Sequence, residues 1–364
     1  LASASLDQTY MKAALGLAQR GLGNVAPNPA VGCILVKDGL IVGRGWTQPG
    51  GRPHAETVAL AQAGDAAKGA TAYVTLEPCA HHGQTGPCAE ALVSAGIRRC
   101  VIAVSDPDWR VAGKGLAILA NAGIQTENGV CEIEAAQLNR GFFLRVSQNR
   151  PLFTLKIAST LDGRIALENG DSKWITGPEA RRYGHMLRAQ HDAILVGSGT
   201  VLADDPFLDC RLSGLEEQSP LPIVLDGKLK LRPTHKLAQS ASRRGTVVFH
   251  QSRDKAKENA LQDLGVETVA VADTRDLAAI ATTLAERGLT RLLVEGGGQV
   301  HASFLKAGLA DRIEHFSTGK AIGGDGRPAI GALDLASLGD APHFNLETIR
   351  QLGPDMLASY VKAE

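Results

Sequence analysis

His54, Glu56, Cys79 and Cys88 are the residues of this chain whose types and order best suit chemistry. One imidazole and two thiolates can hold Zn²⁺ and leave its fourth position open to water, the layout of a catalytic rather than a structural zinc. Such a metal lowers the pKa of its bound water to about 7, so hydroxide is available at neutral pH. Glu56 stands too close to His54 in sequence to be an ordinary fourth ligand. It can instead move protons, taking one from water and passing it to departing ammonia.

The surrounding residues place these groups at helix starts. Glu56 through Ala63 is a good helical run closed by Gly64, which puts His54 and Glu56 at its N-terminus. Cys88 opens a similar run ending before Gly96, and a helix N-terminus favours a thiolate. Taken singly, Cys79 and Cys88 read as buried small hydrophobes and His54 as a surface residue. His-x-Glu, then Pro-Cys, then a second Cys within one short segment is instead the pattern of zinc deaminases. Cys33, Cys100, Cys131 and Cys210 have no such company and read as core or incidental.

At 364 residues the chain can build two domains, each with its own core. Lys+Arg equals Asp+Glu at 38 each and aromatics are 4%, so the basic groove and stacking rings of a nucleic-acid enzyme are not expected. No apolar run approaches the ~20 residues of a membrane span, and no basic-then-apolar leader is read at the start. Six cysteines, two assigned to metal, fit a reducing compartment, and a cytoplasmic enzyme is expected. Short β-branched runs alternate with helical stretches: 31–36, 71–76 and 100–104 read as buried strands of a three-layer α/β domain. Gln148-Asn149-Arg150-Pro151 is a polar, proline-containing break, giving expected domains 1–147 and 148–364. Beyond it, 152–158, 193–196, 222–225, 246–249 and 291–294 read as further strands.

Two glycine-rich strand ends mark the second half. Gly197-Ser198-Gly199-Thr200 reads as a turn leading to Asp204-Asp205-Pro206, and Glu295-Gly296-Gly297-Gly298 leads into a helix beginning near Val300. Glycines there let backbone N–H groups approach phosphate oxygens, and strand ends of α/β sheets are where ligands bind. This is not the dinucleotide fingerprint, because Leu202 stands where the third glycine would be.

The motifs together resemble the bifunctional deaminase-reductase family of riboflavin biosynthesis. The resemblance rests on Ala26-Pro27-Asn28-Pro29-Ala30-Val31-Gly32 and the His-Ala-Glu and Glu-Pro-Cys blocks, with eight residues between Cys79 and Cys88. In the second half it rests on Lys156 through Gly163, Ser172 through Thr176, Arg188-Ala189-Gln190, Gly199 through Pro206 and Glu295 through Gly298. It implies a cytidine-deaminase-like domain of three α/β/α layers followed by a dihydrofolate-reductase-like α/β domain. The implied chemistry is zinc-dependent deamination of a phosphorylated diaminopyrimidine, then NADPH-dependent reduction of its ribosyl group to ribityl. By motif, His54, Cys79 and Cys88 hold zinc, Glu56 shuttles the proton, and Asn28 and His81 help hold the first substrate. Ala158, Trp174, Thr200, Asp204, Gly297 and Gly298 match cofactor contacts. Lys156, Ser172, Arg188, Leu208, Arg211 and Glu295 match contacts to the second substrate, the arginines being suited to its phosphate. The acid that assists hydride transfer is left open among Asp204, Glu295 and Lys156. A small-molecule substrate, no nucleic-acid or membrane partner and a homo-oligomer are expected.

Two positions depart from the family pattern. Many relatives carry His where this chain has Thr47, and Lys or Arg where it has Gln84; Arg52 is a possible substitute. One rival reading is a zinc deaminase of another nucleobase or nucleoside whose second half only binds nucleotide. Another is a zinc-stabilised binding protein whose metal is closed by His81 or His82. In a third, one half is degenerate.

Overall fold

The computed structural model describes residues 2–82, 86–108 and 112–363, so Gln84 lies outside the described residues. The chain divides into two compact units, Leu1–Arg150 and Pro151–Glu364.

In the first unit β1 (Gly32–Lys37) and β2 (Leu40–Trp46) form a hairpin, followed by β3 (Thr71–Val74), β4 (Arg99–Ile102) and β5 (Gln125–Asn128). The sheet order is β2-β1-β3-β4-β5; β1 is antiparallel to both neighbours and the last three strands are parallel. The helices are α1 (Ala2–Ala18), α2 (Ala55–Ala63), α3 (Cys88–Ser94), α4 (Lys114–Asn121), α5 (Glu132–Leu138) and α6 (Arg140–Gln148). Two glycines set how two of these helices lie on the sheet. A Cβ on Gly32 would fall 1.9 Å from the Ala14 carbonyl of α1, and one on Gly45 2.0 Å from the Ala55 carbonyl of α2. Gly45 pairs with Cys33, the neighbour of Gly32, and successive strand residues face opposite sides. Hence α1 and α2 cover opposite faces, and the unit has the three layers read from its sequence. The core is built from strand residues such as Ile34, Leu35, Val74, Val101 and Ile102, all 1% exposed or less.

The second unit contains β6 (Leu152–Thr160), β7 (Arg164–Ala166), β8 (Ala193–Gly197), β9 (Leu221–Leu225), β10 (Val247–His250), β11 (Glu267–Ala270), β12 (Arg291–Val294), β13 (Arg312–Thr318), β14 (Arg327–Pro328), β15 (Phe344–Leu352) and β16 (Asp355–Lys362). Nine of them form one sheet in the order β11-β10-β9-β8-β12-β6-β13-β16-β15, parallel except that β16 is antiparallel to both of its neighbours, while β7 and β14 pair as a separate ribbon. Its helices are α7 (Pro178–Ala189), α8 (Ser198–Asp204), α9 (Lys236–Gln239), α10 (Ala241–Arg244), α11 (Lys255–Gln262), α12 (Leu277–Glu286) and α13 (Gly298–Lys306). The central strands are buried on both faces because helices cover both. Ala193, Leu195, Leu292 and Val294 pack with α12 and α13, whereas the alternating Ile194, Val196 and Leu293 pack with α7 and α9 to α11. One local expectation is corrected: residues 198–204 are the helix α8 rather than a turn, since Gly197 is extended and acts as its N-cap.

Candidate active sites

His54 is the N-cap of α2 and Cys88 the first residue of α3, so helix starts present two of the expected ligands. Cys79 lies on the segment after β3. The Nδ1 of His54 lies 3.7 Å from Cys79 Sγ and 3.3 Å from Cys88 Sγ, and the three ligand atoms lie within 4.8 Å of one another. Tetrahedral zinc with ordinary Zn–N and Zn–S bonds spaces such atoms roughly 3.5–3.8 Å apart, so the donor set fits that ion in chemistry and in spacing. Cys79 Sγ also accepts the Cys88 backbone N–H at 3.3 Å. The Cys88 thiol and then His54 beside it pull Cys79 down to about 4, towards the thiolate a metal requires. Among the described residues no further His, Cys, Asp or Glu joins this cluster. His82 instead faces Glu90 at 3.4 Å on the surface, which counts against a zinc closed by a fourth protein ligand.

Glu56 is 3% exposed, and burial pushes its carboxyl up to about 7. It lines a cavity of about 330 Å³ together with Asn28, Arg52, His54, Cys79 and His81. Asn28 is held by its Nδ2, which donates to the Gly51 carbonyl at 3.0 Å. Its loop is pinned by Asn139, buried at the junction of α5 and α6, which exchanges two 2.9 Å hydrogen bonds with the backbone of Ala30. Thr47 also lines the cavity, but its hydroxyl is engaged: it accepts the Val31 N–H at 3.0 Å and donates to the Pro29 carbonyl at 3.1 Å.

In the second unit a cavity of about 580 Å³ opens where β8 and β12 end. Ser172, Thr200, Asp204, Glu295, Gly297 and Gly298 all line it. A Cβ on Gly298 would fall 2.5 Å from the Pro328 carbonyl, whereas one on Gly297 would meet nothing within 4 Å and would project into open space. The N-cap of α13, Gly297, offers no side-chain cap, so no capping side chain covers the start of this helix, where an anion is favoured. Beneath the cavity Arg188 grips Glu295 bidentately, Nε to Oε1 at 2.8 Å and Nη2 to Oε2 at 2.9 Å, with Lys156 Nζ 3.7 Å from Oε2. Burial alone would raise the Glu295 carboxyl; the charges of Arg188 and Lys156 outweigh it and hold it at about 2.

Residues 151–358 match the RibD C-terminal domain family, and residues 4–104 the cytidine and deoxycytidylate deaminase zinc-binding region. The riboflavin biosynthesis protein RibD of Escherichia coli is 42% identical, covering 98% of this chain and 100% of its own. That of Aquifex aeolicus is 43% identical, covering 97% of each. The chain belongs to the RibD family. It is a bifunctional deaminase and reductase of riboflavin biosynthesis. Among solved structures, RibD of Acinetobacter baumannii superposes with TM-score 0.89 at 40% identity over 99% of this chain and 100% of its own. A Thermotoga maritima enzyme described as a diaminohydroxyphosphoribosylaminopyrimidine deaminase/5-amino-6-(5-phosphoribosylamino)uracil reductase gives 0.87 at 36%, over the same shares.

Within this RibD-family chain not every residue read from sequence reaches the cavity walls. Ala158 packs into the core beside α7, and Leu208 is 3% exposed with φ of 56°. Trp174 is no core residue: it is 60% exposed, with the Arg181 guanidinium 4.7 Å from its ring. Arg211 is mostly exposed, 3.6 Å from Asp209. Arg188 differs most from expectation as a phosphate ligand. Three of its five N–H groups are taken, two by Glu295 and one by the Asp209 carbonyl at 2.9 Å. Sequence reasoning missed Asp106, Asp108 and Arg145 in the deaminase cavity, Arg327 in the reductase cavity, and His185, which accepts the Arg211 N–H at 3.3 Å. Only His185 carried a signal, lying three residues before Arg188 on one helix face.

Proposed function

We propose that the first unit hydrolyses the ring amino group of 2,5-diamino-6-(5-phosphoribosylamino)pyrimidin-4(3H)-one, releasing ammonia. The second then reduces the ribosyl group of 5-amino-6-(5-phosphoribosylamino)uracil to ribityl with NADPH. The observation that carries this reading is the convergence of His54, Cys79 and Cys88 with Glu56 in the wall of the same cavity. Held by those three ligands, zinc would supply the Lewis acidity that makes water a nucleophile at neutral pH. Glu56 takes a proton from that water and delivers it to the departing amino nitrogen, so one water is consumed and one ammonia leaves. Asn28, fixed by Gly51, and His81 orient the pyrimidine, and Arg52 is placed to meet its negative charge.

In the second unit Thr200, Asp204, Gly297 and Gly298, with Ala158 and Trp174, would hold NADPH, which supplies the hydride. Ser172, Lys156, Arg188, Leu208, Arg211 and Glu295 position the sugar. Hydride adds to the sugar carbon double-bonded to nitrogen in the open-chain form, and that nitrogen takes a proton. Glu295, held ionised, does not donate it; Lys156, with N–H donors beside Glu295, is the residue this reading assigns. A cytoplasmic homo-oligomer belongs to the same reading. Among the described residues no helix is long and apolar enough to cross a membrane, and β15 leaves one edge of the large sheet unpaired.

The test follows ammonia release and NADPH absorbance together, with zinc-loaded protein and the diaminopyrimidine, beside Glu56→Gln. Ammonia followed by NADPH loss is expected, both abolished in the variant, with reduction restored by adding the deaminated intermediate. NADPH loss with the intermediate but no ammonia from the diaminopyrimidine would refute the substrate assignment of the first unit.

A further inference from the structure

Glu77 takes no part in the chemistry above, yet it is 5% exposed and stands two residues before Cys79. Its backbone N–H donates to the Val104 carbonyl at 3.0 Å, fixing it beside the end of β4. Its carboxylate faces four backbone N–H groups. Oε2 accepts from Gly113 at 3.1 Å and Asp106 at 3.4 Å; Oε1 accepts from Gly115 at 3.0 Å and Leu116 at 3.4 Å. Asp106 follows β4 and the other three donors begin α4, so one anion gathers both ends of the segment between them. The N-cap of α4, Gly113 with φ of 77°, has no side-chain cap, so Glu77 caps this helix from outside and meets its positive end. The approach is close: a Cβ on Gly115 would fall 2.0 Å from the Pro78 carbonyl. Asp106 and the start of α4 are thus both seated on the same three residues, Glu77-Pro78-Cys79, that present a zinc ligand.

Two acidic residues at the first of these places face the deaminase cavity. Asp106 and Asp108 line it with His54, Glu56 and Cys79. The Asp106 Oδ1 accepts the Asp108 N–H at 2.8 Å, so the orientation that Glu77 gives Asp106 passes to Asp108. A glutamine at 77 would keep the shape but turn an NH2 towards two of the four donors, leaving them without an acceptor.

We propose that Glu77 is a positioning residue of the deamination, holding the Asp106–Asp108 wall at a fixed distance from Cys79 so that the pyrimidine meets the reacting centre in register. This rests on the function proposed above for the first unit. Full-length, zinc-loaded Glu77→Gln is compared with the unsubstituted protein for ammonia release, zinc content and NADPH oxidation on the deaminated intermediate. The expected result is KM for the diaminopyrimidine raised about ten-fold or more, equivalent to about 1.4 kcal/mol, with kcat lowered less than about three-fold. Zinc content and the reductase rate should be unchanged. Asp106→Ala should raise KM alike, and the two substitutions combined should raise it less than the product of their separate effects. If Glu77→Gln does not fold, Asp106→Ala and Asp108→Ala decide alone: unchanged KM in both overturns the proposal. Unchanged KM in Glu77→Gln overturns it too, as does loss of kcat together with zinc, which would make Glu77 a support for Cys79 only. No ammonia from the unsubstituted protein would refute the underlying function and this inference with it.

Discussion

Replacing Glu295 by Gln removes the anion between Arg188 and Lys156 while keeping the shape of the side chain. The Arg188 and Glu295 side chains are 15% and 10% exposed, so little solvent screening is available when the charge is lost. The carboxyl is held at about 2 against an ordinary 4.5. At ~1.4 kcal/mol per unit this corresponds to about 3 kcal/mol of stability at pH 7. A second route agrees: removing one partner of a buried ion pair costs about 3–5 kcal/mol, because the remaining charge is left uncompensated. Glu295→Gln should therefore lower the melting temperature of the second unit by roughly 6–12 °C at pH 7, at about 2–4 °C per kcal/mol for a domain of this size. The sign of the pH dependence follows from the depressed value. The contribution is present in full above the ordinary carboxyl range and is lost as pH falls towards 2. The gap between the two proteins should narrow to roughly 2 kcal/mol near pH ~3.5. Calorimetry of the full chain at both pH values measures this, and ammonia release by the first unit should be unaffected while NADPH oxidation is lost. Arg188→Met with Glu295→Leu should recover much of the stability, though not the activity. A Glu295→Gln protein melting within about 1 °C of the unsubstituted chain at pH 7 would refute the reasoning.

Chelation of zinc, or Cys88→Ser, should abolish ammonia release and leave NADPH oxidation on the deaminated intermediate intact; loss of both activities would contradict separate sites. Thr47→Val keeps volume but leaves the buried Val31 N–H without its acceptor, and should destabilise the first unit by about 1–3 kcal/mol in urea unfolding. Gly45→Ala puts a methyl 2.0 Å from the Ala55 carbonyl at the start of α2. Overpacking of about 1–3 kcal/mol and a raised KM or lowered kcat for ammonia release should follow, because α2 carries His54 and Glu56.

The zinc centre was legible because all its chemistry lies in 35 residues, 54 through 88, whose helix starts and strand end are written locally. The central strands were legible for a similar reason: 193–196 and 292–294 are unbroken apolar runs, as burial on both faces demands. The strands β11, β13, β15 and β16 were not. β15, with most residues half-buried or exposed, shows no apolar run, and its place beside β16 comes from tertiary pairing that no local pattern states. The same limit governed Arg188. Its sequence offered a cation of the right kind for phosphate, and only the approach of the β12 end, 107 positions along the chain, shows its fork closed on Glu295.

Both halves share one device that bears on why these misses fall where they do. Each site is held by a buried carboxylate: Glu77 gathers four backbone N–H groups, and Glu295 gathers two cations. Neither partner set is near its carboxylate in sequence, so neither role could be read from a motif. Each lies instead just past the end of a central strand, where a carboxylate can tie that strand end to a helix, α4 for Glu77 and α7 for Glu295. A residue that a motif marks only as a neighbour of the chemistry, such as Glu77 before Pro78-Cys79, therefore serves to fix the distance between the parts that perform it.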